Sequence, residues 1–509
     1  MTLDPANFGE LPWRGLRLHP DKAAIEQDDL VVTYAELEKR IKRTAAALAG
    51  LGIGKGDRVL LLFHNDHRFA ECLLGVLRTG AVAVPANVKL GRDPLTYIAE
   101  HSESVAAIGH AELVEQIPPL RDTLVLDGSY DDLVAAAPEE FATAGVDRDR
   151  DEALLMYTSG STGRPKGVRL SHANKWWQAA SAAETMMWKP SDKGLVTGPL
   201  YHANALWACL LPMLYVGGSV VILPGFEPRS ALEAIDRYRP TYTSGTPSMY
   251  AMLLAERETL ARCDVSSIDV LECGSAPVPE ELMVELKRTF GCEVCETYGL
   301  TEGGATLISP RWGIKKLGST GLPVPGVEIR IVSPETGGDC APSEVGELWS
   351  RCGANALGYH KAPDATAEKF TADGWLKTGD LVTADEQGYV YFRGRVDDMI
   401  SVGGENVYPK EVETILLEHP AVADVCVVPV PHSVKGAAPV AWVVLHAGED
   451  AGDDELKEWF LARGPAYAHP RRVFFLERLP VSGTNKVDRK GLTDEAARRL
   501  PHGVTSVRA

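Results

Sequence analysis

Residues Tyr157 to Gly167 read YTSGSTGRPKG, with three glycines, four Ser/Thr hydroxyls, an arginine and a lysine. The run ALLMY (Ala153 to Tyr157) leads into this stretch and has the length and apolarity of a buried strand. A strand feeding such a loop suits a phosphate cradle. Gly160, Gly163 and Gly167 let the backbone turn through positive φ and bring its N–H groups close to an anion. Ser159, Ser161 and Thr162 offer further hydrogen bonds, and Arg164 and Lys166 add positive charge. The spacing is not that of the G-x-x-x-x-G-K-[ST] loop. Gly160 and Gly163 stand too close, and Pro165 disfavours a helix starting straight off Lys166. A flexible Gly/Ser linker would lack the apolar strand before and the R-P-K-G ending.

The 509 residues exceed what one core usually serves, so two or more domains are expected. Hydrophobic content of 45% and charged content of 24% are those of a globular protein. No apolar run is long enough to span a membrane. MTLDPANFGELPWRG at the start carries acids early and lacks a basic-then-apolar pattern, so no secretory leader and a cytoplasmic location are expected. A net charge of -18 speaks against a nucleic-acid partner, and any polyanion site must concentrate positive charge locally. Of nine cysteines, Cys292 and Cys295 have C-x-x-C spacing. With no second pair or histidine cluster beside them, they read as free thiols on a buried strand.

Along the chain, Thr33 and Glu36 have capping-box spacing ahead of a helix with Leu37, Ile41, Ala45 and Leu48 on one face. A strand at Arg58 to Phe63 and a helix from about Arg68 to Thr79 follow. His64 and His67 between them read as surface or supporting groups rather than a metal pair. Pro118 to Asp149 is acidic and Ala-rich and reads as a surface connection. A helix is expected over Ser171 to Met187, then strand, loop, helix and strand over Gly194 to Leu223. Ala231 to Ser244 repeats helix then strand, and Ser267 to Val278 is a strand ending in a turn. This alternation is α/β. From about Gly318, short alternating strands split by Gly and Pro suggest a small barrel. After Asp398 the pattern is a compact α+β unit.

Six further stretches carry chemistry. GSAP (Gly274 to Pro277) ends a strand with backbone groups free to meet a base edge. In ETYGLTEGG (Glu296 to Gly304), Tyr298 offers a ring to stack, Gly299 permits close approach, Thr301 offers a hydroxyl to phosphate and Glu302 a hard oxygen for Mg²⁺. TGD (Thr378 to Asp380) places a carboxylate that suits vicinal ribose hydroxyls, ahead of GRVDDMISVGGENVYPKEVE (Gly394 to Glu413). LPVSGTNKVDRKGL (Leu479 to Leu492) contains Lys486, and PLYHANAL (Pro199 to Leu206) contains His202.

Together with the opening loop, and in their order along the chain, these motifs resemble the adenylate-forming superfamily: acyl-CoA and aryl-CoA synthetases, nonribosomal adenylation domains and luciferases. The resemblance covers about residues 20 to 495. It implies an α/β fold, with a large N-terminal domain of two α/β layered subdomains plus a small β-barrel (residues 1–396) and a small mobile α+β C-terminal domain (397–509). It implies that Thr158, Ser159, Gly160, Ser161, Thr162, Gly163 and Lys166 hold the ATP phosphates. Gly274, Ser275, Ala276, Thr297, Tyr298 and Gly299 would bind adenine, and Thr301 a phosphate. Glu302 would be the magnesium carboxylate, and Asp380 and Arg395 would bind ribose and phosphate. Asp397 is the expected hinge, and Gly403 and Gly404 the wall of a thiol channel. Lys486, Thr162, Glu302 and His202 are the expected catalytic residues, with His202 at the acid's carboxylate. Tyr201, Trp207, Ser244 and Thr246 are candidate pocket walls. Asn485 stands where relatives most often have glycine, and asparagine tolerates the same left-handed turn. Ala205 also replaces a common glycine, which narrows the pocket there.

The activity implied is ATP-dependent carboxylate–CoA ligation: acyl-adenylate formation with release of pyrophosphate, then thioester formation with release of AMP. The cofactors implied are ATP, Mg²⁺ and coenzyme A, and the substrate is a small organic acid. An alternative is a stand-alone adenylating enzyme that passes its acid, or an atypical acid such as nitrite, to a carrier protein, an amine or another acceptor. A nucleotide-binding regulator without catalysis is disfavoured by the intact Lys486, Glu302 and Asp380. Trp176, Trp177, Tyr201 and Trp207 hint at an aryl-sized pocket, although tryptophans on helices are more often core. Oligomeric state is not legible in the sequence.

Overall fold

Thr33 caps a helix as its spacing to Glu36 predicts: its hydroxyl accepts the Glu36 backbone N–H at 3.2 Å, and the helix runs Tyr34–Gly50 with Leu37, Ile41, Ala45 and Leu48 buried. The computed structural model describes residues 4–158, 164–276, 278–403, 405–480 and 487–500. The chain forms two compact units. One comprises Met1–Ile329, Trp349–Thr378 and Gly388–Val390, and the other Arg330–Leu348, Gly379–Gln387 and Tyr391–Ala509.

The elements that position the candidate site in the first unit are β1 (Glu152–Thr158), β2 (Lys166–Ser171), α1 (His172–Met186), β3 (Val270–Gly274), β4 (Glu293–Leu300), β5 (Gly304–Ile308) and β6 (Gly358–Tyr359). One sheet of seven strands among the described residues has the order β6, β2, β1, Val82–Pro85, Arg58–Leu62, Ser104–Gly109, Asp122–Val125. Its interior strands are parallel, and only β1–β2 and β2–β6 are antiparallel. The central strands are buried on both faces, as their unbroken apolar runs require. A second sheet of nine strands places β5, β4 and β3 in succession beside Tyr242–Gly245 and Lys193–Val196. β3 and β4 are parallel, and β4 returns through a tight turn into antiparallel β5.

The helix α1 begins at a reciprocal cap in which the Ser171 hydroxyl accepts the Asn174 N–H at 3.1 Å and the Asn174 side chain accepts the Ser171 N–H at 2.9 Å. Trp176 on this helix is core, 1% exposed and edge-on to Phe8 at 5.1 Å. Trp177 lies against Gly353, where any side chain would collide with it.

One expectation changes. Pro118 to Asp149 is not merely a surface connection: Asp122–Val125 is the sheet's edge strand, followed by helix Ser129–Ala136. Buried Tyr130 anchors this segment, donating to Glu71 at 3.0 Å and meeting Thr44 at 2.8 Å. Among the described residues, the strands expected as a small barrel pair in the order Glu328–Val332, Gly346–Arg351, Leu376–Ala384 and Val390–Arg395. The intervening pieces Leu322–Pro323 and β6 are cut to two residues by Pro and Gly and join the two larger sheets.

In the second unit, Val422–His432 and Gly436–Leu445 form a long antiparallel pair, extended by Val473–Phe475 and Ile400–Val402. Helices Pro409–Leu417, Asp453–Leu461 and Arg489–Arg499 accompany them. Val412, Leu416, Val425, Val427, Val443 and Phe460 share a core. Arg489 joins the last helix to the first through Glu413 at 2.6 Å, a carboxylate 5% exposed in its side chain. This is the α+β pattern read from the sequence.

Candidate active site

The phosphate-loop stretch links antiparallel β1 and β2. Thr158 pairs with Lys166, and Tyr157 pairs with Gly167. Ser159, Gly160, Ser161, Thr162 and Gly163 lie outside the described residues. At the start of β2, the Lys166 ammonium stands 5.5 Å over the ring of Tyr359. The Tyr359 hydroxyl donates to Glu302 Oε1 at 2.7 Å. Three segments distant in sequence therefore meet at one tyrosine: β2, β6 and the β4–β5 turn. Tyr359 is held in turn: its backbone N–H donates to Thr366 Oγ1 at 2.9 Å, and its ring lies edge-on to Phe370 at 6.2 Å. Gly358 before it has φ +120, and a side chain there would strike Thr366, so only glycine delivers Tyr359 to this place. Sequence reading missed Tyr359. The available signal was an aromatic residue after glycine, close in sequence to a Pro-started helix.

The Glu302 backbone is also fixed, its carbonyl accepting the Ala356 N–H at 2.8 Å. One carboxylate oxygen is thus committed to Tyr359. A single hard carboxylate suits Mg²⁺, which keeps waters and takes its remaining ligands from substrate phosphates. Among the described residues no cluster of three His, Cys, Asp or Glu side chains could hold a metal by itself.

The adenine-side motifs lie on adjacent strands, with Gly274 of β3 beside Thr297 of β4. A Cβ on Gly274 would come within 2.6 Å of the Thr297 carbonyl, so the close approach needs glycine. Ser275 continues with φ 66, and Ala276 follows in the same bend. The β4–β5 ladder slips between Tyr298 and Gly299, a bulge of the kind that re-aims a side chain. Thr301, Glu302 and Gly303 form the turn beyond it. Thr297 spends its hydroxyl on buried Glu272 at 2.7 Å, and Tyr242 also donates to Glu272. Burial raises the Glu272 carboxyl above its ordinary range and pushes Glu296 up to about 8. Cys292 and Cys295 are buried, and burial pushes their thiols up to about 12 and about 11. Such thiols are poor nucleophiles.

On the acid side, His202 precedes the short helix Ala203–Ala205 and is half-buried, its backbone N–H donating to the Pro199 carbonyl at 3.0 Å. Asn65, another residue missed in the sequence, pins this segment. It accepts from Leu200 N at 2.9 Å and donates to the carbonyls of Gly198 and Leu223 at 2.8 and 3.0 Å. Its neighbour His64 pairs at the surface with Glu112, and His67 with Gln27. Tyr201 is buried. Ser244 lines a small cavity with Thr197, Thr243 and Tyr250, and Thr246 caps helix Pro247–Ala255. Trp207 sits on one wide turn, Leu206–Leu210, closed by the Leu211 N–H on the Leu206 carbonyl.

In the second unit, Asp380 is 7% exposed and its carboxylate lies 3.4 Å from Arg395 Nη1. Gly379 before it has φ 78 and donates its N–H to Glu347 at 2.9 Å. Asp397 is exposed. Asp398 is not a freely solvated acid: burial raises its carboxyl, opposed by Arg489, 4.0 Å away. Gly403 has φ 64 and donates its N–H to the Lys435 carbonyl at 2.9 Å. Gly404, Asn485 and Lys486 lie outside the described residues.

Similarity to known proteins extends over nearly the whole chain. A sequence profile described as AMP-binding enzyme matches residues 13–360, and one described as AMP-binding enzyme C-terminal domain matches residues 411–486. A feruloyl-CoA synthase from an Amycolatopsis species is 37% identical over 500 residues, covering 97% of this chain and 99% of that protein. The crystal structure of ATP-bound MatB from Rhodopseudomonas palustris superposes with a TM-score of 0.90 at 30% identity, covering 98% of this chain and 100% of that one. The anthranilate CoA ligase AuaEII in complex with anthranoyl-AMP superposes with a TM-score of 0.88 at 28% identity, covering 98% and 99%.

Proposed function

The chain belongs to the AMP-binding enzyme family and is an ATP-dependent carboxylate–CoA ligase, and from that premise we propose that its acid is aryl-sized and that the residues described above divide the chemistry as follows. Gly274, Ser275 and Ala276 supply backbone contacts to adenine, with Thr297 and Gly299 setting their spacing and Tyr298 stacking on the base. The Thr297 hydroxyl is engaged with Glu272, so its part is structural or through the backbone. Thr158, the Ser159–Gly163 stretch with Thr162, Lys166 and Thr301 hold the phosphates. Asp380 and Arg395 take the ribose side.

Glu302 is the ligand for Mg²⁺, which supplies charge neutralisation at the polyphosphate when bound. Tyr359 fixes one oxygen of Glu302 and leaves the other for the metal. The acid's carboxylate lies by His202 and attacks the α-phosphorus, forming a mixed anhydride and expelling pyrophosphate. Lys486 stabilises the charge spread over carboxylate and phosphate in that displacement. Coenzyme A is the acceptor: its thiol attacks the acyl carbon and AMP leaves. Most of the rate gain comes from positioning and fixed charge. A pivot at Asp397, dividing residues 1–396 from 397–509, exchanges the Lys486 face for the Gly403–Gly404 face between the two steps. Nine free cysteines, most of them buried, suit a reducing cytoplasm.

The observation that carries the assignment is the convergence of Lys166, Tyr359 and Glu302 from three separate segments. It is tested by ATP–pyrophosphate exchange over a panel of aryl, alkyl and inorganic acids, followed by AMP release with and without coenzyme A. Exchange that needs an aryl acid, and AMP release that needs coenzyme A, are expected. Exchange driven best by a long alkyl acid or by nitrite would overturn the choice of acid, and AMP release indifferent to coenzyme A would overturn the acceptor.

A further inference from the structure

Lys175, on α1, is 1% exposed. Among the described residues no carboxylate lies within ion-pair distance of it; its contacts are the Gln178 side-chain carbonyl and the face of Trp207, whose centroid is 3.4 Å from Nζ. Burial lowers its basicity well below the ordinary lysine value, with no neighbouring charge to oppose the shift. A lone ammonium in such a place is costly to retain for packing alone, since a leucine or methionine would fill the space without the desolvation penalty.

Its neighbours share the imbalance. Lys175, Gln178, Ala179, Trp207, Leu211 and Pro212 line a cleft too narrow for a water molecule. Gln178 Nε2 and Trp207 Nε1 are both buried, and among the described residues neither has a hydrogen-bond partner. The cleft therefore gathers three kinds of N–H donor (ammonium, amide and indole), and the one acceptor beside them is already taken by the ammonium. Buried donors left unpaired are rare and call for an explanation.

The place of the cleft supplies one. Trp207 is carried by the wide turn that directly follows His202–Ala205, and such turns recur at functional sites. On the other side, Gln178 Nε2 lies against Gly304, where an added Cβ would sit 2.7 Å from it. Gly304 is two residues beyond Glu302. The cleft thus lies between the acid-side motif and the metal-side motif of the same unit.

Resting on the ligase reading above, we infer that Lys175, Gln178 and Trp207 form the far end of the acid pocket and recognise an oxyanion, a second carboxylate or a phenolate, on the substrate at the end remote from the carboxylate that is activated. The incoming oxygen displaces the ammonium from the Trp207 face and accepts from Nζ and Gln178 Nε2. Charge-assisted bonds of this kind are the strong ones. An acid without such a group leaves the donors unpaired and is rejected, which is how a polar pocket discriminates most steeply.

The test uses full-length enzyme with ATP, Mg²⁺ and coenzyme A, and three acids on one skeleton: cinnamate, 4-hydroxycinnamate and 4-carboxycinnamate. Wild type is expected to favour at least one oxygen-bearing acid over cinnamate by about 100-fold or more in kcat/KM, chiefly through KM, and the preferred arm identifies phenol or carboxylate as the source of the oxyanion. Lys175→Met should collapse that preference at least tenfold, and Gln178→Leu should lower it in the same sense, so the result does not rest on one variant's folding. Equal kcat/KM for the three acids in wild type would overturn the inference and leave the ligase reading standing, as would an unchanged preference in both variants. Absence of turnover with all three would overturn both the inference and the aryl-sized acid, and leave the ligase family standing.

Discussion

Glu296 lies on β4 at the head of the ETYGLTEGG motif and is 8% exposed. Its backbone N–H donates to Ser309 Oγ at 2.8 Å. Burial, opposed only by a hydrogen bond from Thr320, pushes its carboxyl up to about 8 from 4.5. The folded protein therefore keeps a proton at neutral pH that the unfolded chain has released. Between the two values the native state binds more protons than the unfolded state, so stability falls as pH rises. The slope is about 1.4 kcal/mol per pH unit, or about 2.7 kcal/mol between pH 5.5 and 7.5. Glutamine matches the shape of the protonated acid and has no such proton to lose. The margin by which Glu296→Gln exceeds wild type should widen by that amount over the range. Thermal unfolding of both proteins at pH 5.5, 6.5 and 7.5 reads this as a gap in Tm that grows by a few degrees. A gap that stays constant or narrows would refute the claim that Glu296 is buried and protonated beside the nucleotide motif.

Three further outcomes follow from the site. Tyr359→Phe removes a bond to a charged carboxylate worth about 1.5–3 kcal/mol, and should lower kcat/KM for Mg·ATP by roughly 10- to 100-fold; an unchanged value would dissociate Tyr359 from the metal ligand. Asn65→Ala removes three bonds that hold Gly198, Leu200 and Leu223. It should destabilise the protein by about 1–3 kcal/mol and raise KM for the acid more than KM for ATP, with equal increases counting against a role in placing His202. Asp397→Pro should permit pyrophosphate exchange while blocking thioester formation, and parallel loss of both steps would speak against a pivot there.

Local chemistry made much of the fold legible. Thr33 and Glu36 mark a helix start because capping involves neighbours in sequence, and the apolar face of Leu37, Ile41, Ala45 and Leu48 follows from helical period alone. The strands of the second unit declare themselves by β-branched runs such as VADVCVVPV. Tyr359 and Asn65 were not legible because their significance lies in partners 57 and more than 130 residues away. Tyr130 hid for the same reason, inside a segment whose acids and alanines look like solvent-facing linker. In the small-barrel stretch, alternation reports that a strand exists and not which neighbour it pairs with. Lys175 was passed over because a lysine on a helix is ordinarily solvated, and nothing in SHANKWWQ reveals that this one points inward.

The proposed mechanism requires Lys486 to act in acid activation and not in thioester formation. The direct measurement compares wild type and Lys486→Ala in two reactions: ATP–pyrophosphate exchange with the preferred acid, and conversion of supplied acyl-AMP plus coenzyme A to thioester. The variant is expected to lose exchange by several orders of magnitude while keeping most of the second reaction. Pyrophosphate exchange by Lys486→Ala at close to the wild-type rate would contradict it.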